Sequence, residues 1–143
     1  MRLALDEAVA AVEAGEVPVG AVVMLGERVI ATGRNRMRGD ADPTAHAEIV
    51  ALRAAAAALG SERLDGCDLW VTLEPCAMCA GAMALARIRR LYFGAADAKG
   101  GAVTSGVRLF GQATCHHAPE VYSGIGESEA AALLGDFFRA RRG

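Results

Sequence analysis

The sequence predicts an α/β fold, with a mixed five-stranded sheet between two helical layers in an α/β/α arrangement. Strand-like and helical segments alternate through the second half of the chain, which requires parallel crossovers. Two earlier β-branched runs flank Gly26 and Glu27, which predicts an antiparallel hairpin in the same sheet. With 143 residues, 53% of them hydrophobic and 22% charged, the chain suits one domain over residues 1–143 with a single core.

The first half of the chain supplies two helices and the hairpin. Apolar residues recur at helical spacing from residue 2 until Gly15, which predicts the first helix. The runs "VPVGAVVML" and "RVIATGRN", residues 17–25 and 28–35, predict the two hairpin strands. The segment 43–60 starts with a proline and stops at a glycine, as expected of the second helix.

The second half supplies three further strands and two helices. The apolar run "DLWVTL", residues 68–73, predicts a buried strand, and the helix after it is entered through Pro75. The remaining predictions are a helix over 76–88, a strand over 89–95, an irregular Gly-rich stretch over 97–119, a strand over 120–125 and a helix over 127–142. Ligands of such sheets bind beyond strand C-termini, where helices begin, and both "DPTAHAE" and "TLEPC" lie at helix entrances.

Charge and cysteine content narrow the function classes. The net charge of −2 and pI of about 5.9 give no global basic field for nucleic acid, although a local patch could still bind it. We expect no membrane partner, because no apolar run is long enough to cross a bilayer. Nothing at the start resembles a secretory leader, so we expect a cytoplasmic location. In a reducing compartment, a close cysteine pair is more often metal-binding or catalytic than a disulfide.

The stretch "LEPCAMCAGAM" places Cys76 and Cys79 two residues apart and raises three alternatives. The pair could be a redox dithiol, half of a structural zinc site, or part of a catalytic zinc site. Cys67 and Cys115 are too isolated to complete a four-cysteine site. We expect Cys67 to be a buried apolar thiol.

A catalytic zinc site needs three protein ligands and one open position, and His46 supplies the third candidate. Zinc lowers the pKa of a bound water from about 16 to roughly 7. Cys76 at a helix N-terminus meets the positive end of the dipole, which favours its thiolate. Glu48 could lean over the open position and carry protons, provided that it shares the first helical turn with His46.

The combination of "HAE" and "PCAMC" resembles the zinc-dependent cytidine and deoxycytidylate deaminase superfamily. The zinc motif alone is shared with cytosine, guanine and cytidine deaminases. The segments "EVPVGAV", "FGAADAKGGA" and "FFRARR" favour the bacterial tRNA-specific adenosine deaminases, and the similarity runs over essentially the whole chain. The opening helix looks a few residues shorter than is usual in that family.

The resemblance implies a cytidine-deaminase-like fold, a homodimer, and one Zn²⁺ per chain held by His46, Cys76 and Cys79. It also implies that Glu48 is the proton shuttle. The implied reaction uses zinc-bound hydroxide to convert the wobble adenosine of a tRNA anticodon loop, in an arginine tRNA, to inosine.

The resemblance also implies substrate contacts, each with a structural alternative. Asn35 would bond the flipped base or act only as a turn residue, and Asp97 would contact the sugar or only cap its loop. The further implied contacts are Val17 and Pro18 as pocket walls, and Phe137, Phe138 and Arg139 beside the RNA loop. The alternative for the valine and proline is strand-start packing, and for the phenylalanines a helix-spaced core position.

Two rival functions stay open at this stage. One is a deaminase of a free nucleobase or nucleoside, such as guanine or cytosine. The other is a non-catalytic zinc domain that binds RNA, against which the presence of Glu48 argues. The tripeptide Cys115-His116-His117 could suggest a second metal site, but we expect loop or interface residues.

Overall fold

The computed structural model describes residues 1–142 and shows a five-stranded sheet in the order β2-β1-β3-β4-β5. Gly143, the last residue of the predicted domain, lies outside the described residues. The elements are α1 (Arg2–Glu13), β1 (Gly20–Leu25), β2 (Arg28–Arg34), α2 (Ala47–Leu59), β3 (Cys67–Leu73), α3 (Ala77–Ala86), β4 (Arg90–Ala95), a 3-10 turn (Leu109–Gly111), β5 (Glu120–Tyr122) and α4 (Glu127–Arg142). Strand β1 pairs antiparallel with β2 and β3, whereas β4 lies parallel to β3 and β5. The predicted mixed sheet is confirmed.

Helices cover both faces of the sheet, and two glycines allow their close approach. A Cβ added to Gly20 would lie 2.0 Å from the carbonyl oxygen of Ala4 in α1. One added to Gly33 would lie 2.5 Å from the carbonyl oxygen of Ala47 in α2. Because Gly33 pairs with Ala21, the neighbour of Gly20, these helices lie on opposite faces of the hairpin.

The main core lies between the sheet and the helices α2 and α3. Alternate β3 residues point into it, with Leu69 and Val71 fully buried beside Met83 of α3 and Phe93 of β4. Helix α4 packs against β4 and α1 on the other side. No helix among residues 1–142 combines the length and the apolarity that crossing a membrane requires.

Two element boundaries differ from the predicted ones, and the first of them positions His46. The second helix begins at Ala47, because Asp42 holds a turn by accepting bonds from the backbone N–H and hydroxyl of Thr44 (2.9 and 2.7 Å). His46 is therefore extended, with φ −69° and ψ 154°. The fifth strand ends at Tyr122, and Gly124 then turns the chain with φ +77°.

Candidate active site at two helix entrances

Two helix starts bring together the three predicted metal ligands. His46 is the residue before α2 and Cys76 the residue before α3, with Cys79 in the first turn of α3. Nδ1 of His46 lies 3.6 Å from the Sγ atoms of both cysteines. The three ligand atoms all lie within 4.8 Å of one another.

This donor set fits a tetrahedral zinc ion. Usual Zn–S and Zn–N bond lengths would separate sulfur from nitrogen by about 3.5 Å, close to the distances found. Two thiolates and one imidazole are also ligands that zinc prefers, and they leave a fourth position open. Within the described part of the chain, this is the single group of three or more His, Cys, Asp or Glu residues whose ligand atoms are close enough to hold a metal.

The pKa values of the two cysteine thiols shift in opposite directions. A hydrogen bond from Cys79, which outweighs burial, lowers the pKa of Cys76 to about 5. The same hydrogen bond, together with burial, raises the pKa of Cys79. The hydrogen bond therefore favours the thiolate on Cys76 and the proton on Cys79. Binding a metal to both sulfurs would displace that proton.

Glu48 occupies the first turn of α2, as its predicted role requires. The residue is 4% exposed and lines a cavity of about 240 Å³ together with His46 and Cys76. Burial raises the pKa of Glu48 to about 7. A carboxyl group with such a pKa exchanges its proton near neutral pH, which suits a general acid–base group.

Asn35 both lines the cavity and anchors the start of α2. Its Oδ1 accepts a bond from the backbone N–H of Ala47 (2.9 Å), and its Nδ2 donates to the carbonyl oxygen of Val17 (3.1 Å). The residue is 6% exposed. It is therefore more than a turn asparagine, since it joins the wall at Val17 to the helix start beside His46.

The wall formed by the segment 17–19 differs from the predicted one. Val17 and Val19 line the cavity, whereas Pro18 is fully buried and does not. A tight turn centred on Pro18, with the N–H of Val19 donating to the carbonyl oxygen of Val17 (2.8 Å), explains the difference. Val19 thus replaces Pro18 in this wall, and the sequence analysis missed it.

The opposite wall contains the predicted Asp97 and an unpredicted residue, Glu74. Asp97 and Gly100 line the cavity from the loop after β4. Asp97 also caps that loop, because its Oδ1 accepts bonds from the backbone N–H groups of Lys99 and Gly100 (3.1 and 3.0 Å). Asp97 therefore lies in the cavity wall and also caps its loop, and its contact with the sugar stays a prediction.

Glu74 is 2% exposed and accepts hydrogen bonds from the loop after β4. Burial opposes its ionisation, but the hydrogen bonds from backbone N–H groups, first that of Asp97, outweigh it and lower the pKa of Glu74. The sequence signal for this residue was an acid directly before "PC", followed by a Gly-rich loop. That signal does not identify the bonding partners.

The end of α4 forms a second cavity of about 190 Å³ beside the first. Phe137, Phe138 and Arg141 line it, and Val17 and Met37 line both cavities. Phe138 is 44% exposed and so is not a core residue.

The arginines of α4 differ in their surroundings. Arg139 pairs with Asp136 and does not line this cavity, and its place beside the RNA loop stays a prediction. Arg141 lines the cavity, 4.7 Å above the ring of Phe137 and bonded to the carbonyl oxygen of Gly15 (2.8 Å). Arg139 and Arg141 are two positions apart, so they point to nearly opposite sides of α4, and the sequence does not show which side meets the cavity.

The loop with Cys115 holds no second metal group within residues 1–142. The Cys115 thiol bonds the carbonyl oxygen of His117 (3.1 Å), and Nε2 of His117 lies 2.7 Å from the carbonyl oxygen of Ile88. Cys67 is fully buried, as predicted.

Comparisons with known proteins find similar deaminases. The profile of the MafB19-like deaminase family matches residues 1–142. The tRNA-specific adenosine deaminase of Agrobacterium fabrum is 63% identical over 142 residues, covering 99% of this chain and 93% of the relative. The protein of the same name from Bacillus subtilis is 43% identical, covering 99% of this chain and 88% of that one.

Solved structures show the same fold. One, from work on A-to-I editing by tRNA:A34 deaminases at the wobble position of transfer RNA, gives a TM-score of 0.93 at 64% identity. It covers 94% of this chain and 97% of its own. A guanine deaminase from Nitrosomonas europaea gives a TM-score of 0.80 at 28% identity, covering 94% of this chain and 80% of its own.

Proposed function

Because the chain belongs to the tRNA-specific adenosine deaminases, within the MafB19-like deaminase family, we propose that it deaminates the wobble adenosine of a tRNA anticodon loop to inosine. One observation carries the chemistry: His46, Cys76 and Cys79 converge at the cavity that buries Glu48. The arginine isoacceptor rests on the family resemblance. We assign residues 1–143 to one deaminase domain that acts in the cytoplasm, where its RNA substrate is found.

The proposed site would hold one Zn²⁺ per chain through His46, Cys76 and Cys79. When bound, the ion supplies Lewis-acid activation of water at neutral pH. Glu48 would move protons from the attacking water to the ring nitrogen beside C6 and then to the leaving amino group. Adenosine and water are consumed, and inosine and ammonia are released.

The two walls of the cavity would hold the flipped base and its sugar. A cavity of about 240 Å³ accommodates one nucleobase, which must leave the RNA stack to enter it. Asn35 uses one of its amide hydrogens on Val17, so the other could meet the base. Asp97, on the facing wall, would contact the sugar.

The second cavity would receive RNA next to the flipped nucleotide. Aromatic side chains stack on bases, and arginine neutralises phosphates. Phe138 and Arg141 supply both properties beside Val17, which lines both cavities. These local contacts would let the chain bind RNA although its net charge is −2.

The proposed homodimer would form through the outer face of α3. This face borders an apolar groove of about 680 Å³, lined by Met78, Gly81, Leu85 and Val107 among others. Leu85 is 81% exposed and Val107 57% exposed. Large apolar side chains that line one exposed groove are typical of a surface that binds another protein. A second copy would cover these side chains and stabilise the helix that carries both cysteines.

Product analysis with several substrates in parallel tests the proposed function. We expect inosine in tRNA and little turnover of free adenosine, cytosine or guanine. The guanine deaminase among the similar structures makes a free-base deaminase the second candidate. Turnover of guanine without any change in tRNA would favour that candidate.

A further inference from the structure

One buried carboxylate, that of Glu74, holds both ends of the segment 97–105, which is the first part of the loop after β4. Oε1 of Glu74 accepts bonds from the backbone N–H of Asp97 (2.9 Å) and from the hydroxyl of Ser105 (3.0 Å). Oε2 accepts bonds from the backbone N–H groups of Val103, Thr104 and Ser105 (3.1, 2.9 and 3.0 Å). Every one of these donors belongs to the segment 97–105, so the carboxylate closes that segment into a ring.

The closed segment forms one wall of the substrate cavity. Asp97 and Gly100 line the cavity, and the Oδ1 of Asp97 bonds the N–H of Gly100 (3.0 Å). The N–H of Ala102 donates to the carbonyl oxygen of Pro75 (2.9 Å), which ties the segment to the entrance of α3. The wall therefore takes its position from Glu74 and the residue beside it.

Gly101 has no room for a side chain because the ring closes so tightly. A Cβ at this position would lie 2.4 Å from Cδ of Glu74 and 2.5 Å from the carbonyl oxygen of Asp97. Its backbone is not in the left-handed region, so close approach alone requires the glycine. This requirement gives a second, independent way to disturb the same contact.

We propose that Glu74 is a positioning residue, which holds the segment 97–105 so that Asp97 and Gly100 face the target nucleotide. The identity of that nucleotide rests on the proposed function, whereas the loop contact does not. All the hydrogen bonds of this carboxylate go to the loop, so Glu74 acts through Asp97. A carboxylate suits this place because both of its oxygens accept hydrogen bonds and neither donates.

The test compares the parent with Glu74→Gln, an isosteric change that turns one acceptor into a donor. In zinc-loaded protein, hydrogen exchange at the amides of residues 97 and 103–105 should become about tenfold faster or more. With anticodon stem-loop RNA, KM should rise about tenfold while kcat and zinc content change less than about threefold. A general loss of stability would instead lower kcat at unchanged KM, because fewer molecules would be active.

Further variants test whether the contact between Glu74 and the loop is responsible. Gly101→Ala should reproduce both effects, and the double variant with Glu74→Gln should be no worse than the more severe single one. Glu16→Gln is the matched control, since Glu16 is also buried and bonds backbone N–H groups, but those of Arg38 and Gly39. It should leave exchange in segment 97–105 at the parent rate.

The outcomes separate the loop contact from the proposed function. Parental exchange rates at residues 97 and 103–105 in Glu74→Gln would overturn the proposal, as would a lower kcat at unchanged KM. If Glu74→Gln does not fold, Ser105→Ala, which removes only the hydroxyl donor, should show smaller changes in the same direction. A parent without RNA turnover would refute the proposed function, and the exchange measurement would still decide the role of Glu74.

Discussion

His46 and Cys76 occupy equivalent places in the fold, each the last extended residue before a helix, with Nδ1 and Sγ 3.6 Å apart. Both residues have extended backbone, with ψ angles of 154° and 176°, and their side chains meet at one site. Both helices follow the same sheet and present their N-termini to one cavity. The positive ends of two helix dipoles therefore favour the thiolate at Cys76 and negative charge nearby.

Removing both thiols should remove the metal. The parent is expected to hold about one zinc per chain, and the Cys76→Ala and Cys79→Ala double variant none, because one imidazole alone binds zinc weakly. Elemental analysis of purified protein measures this directly. Cys67→Ser and Cys115→Ser are the controls and should retain zinc. Full zinc content in the double variant would refute the assigned ligands.

Replacing the buried acid should stop turnover without loss of metal. Glu48→Ala is expected to retain zinc and fold, because Glu48 is not among the three converging ligands. Its rate of deamination should fall by roughly 10²–10⁴-fold, the usual contribution of a general acid–base group. Single-turnover kinetics at saturating RNA measure this rate. Activity within a few-fold of the parent would mean that another group moves the protons.

A charge on the outer face of α3 should separate the subunits of the proposed homodimer. Leu85→Glu is expected to give a monomer in light scattering, because a buried charge opposes association at an apolar surface. Val29→Glu on β2 is the matched control, since Val29 is 45% exposed and lies on a different element. A dimer that persists in Leu85→Glu would place the interface elsewhere.

The arginines at the end of α4 should contribute to RNA affinity through phosphates. Replacing Arg139, Arg141 and Arg142 with Gln should weaken binding of the anticodon stem-loop and flatten its dependence on salt. The expected change in log–log slope is roughly 0.7 per lost phosphate contact in a single-stranded loop. Arg141→Gln alone should account for most of it, because Arg139 is paired with Asp136. Superimposable salt titrations would exclude a phosphate role.

The metal group and the order of elements followed from the sequence because both depend on local signals. Spacing placed Cys76 and Cys79 in one helical turn, and the Pro75 before them marked the helix start. His46 could be joined to them because ligands gather where helices follow strands in such sheets. Glu48 follows His46 by two residues, so it had to lie in the first turn of the same helix to reach the metal site.

The parts that were missed depend on contacts between distant segments. The partners of Glu74 lie 23 to 31 residues further along, in an irregular loop without periodicity. Val19 replaced Pro18 because one tight turn changes which side chains face the cavity. Arg141, rather than Arg139, meets the second cavity because of where α4 docks, which no local pattern specifies.

Nucleoside analysis of the wobble position of a tRNA shows whether this site deaminates the adenosine there. An arginine tRNA with an adenosine at the wobble position would be incubated with zinc-loaded parent and, in parallel, with Glu48→Ala. We expect inosine at that position with an equal amount of released ammonia for the parent, and unchanged adenosine for the variant. Unchanged adenosine after incubation with the parent, under conditions in which the parent releases ammonia from free guanine, would refute the proposed function.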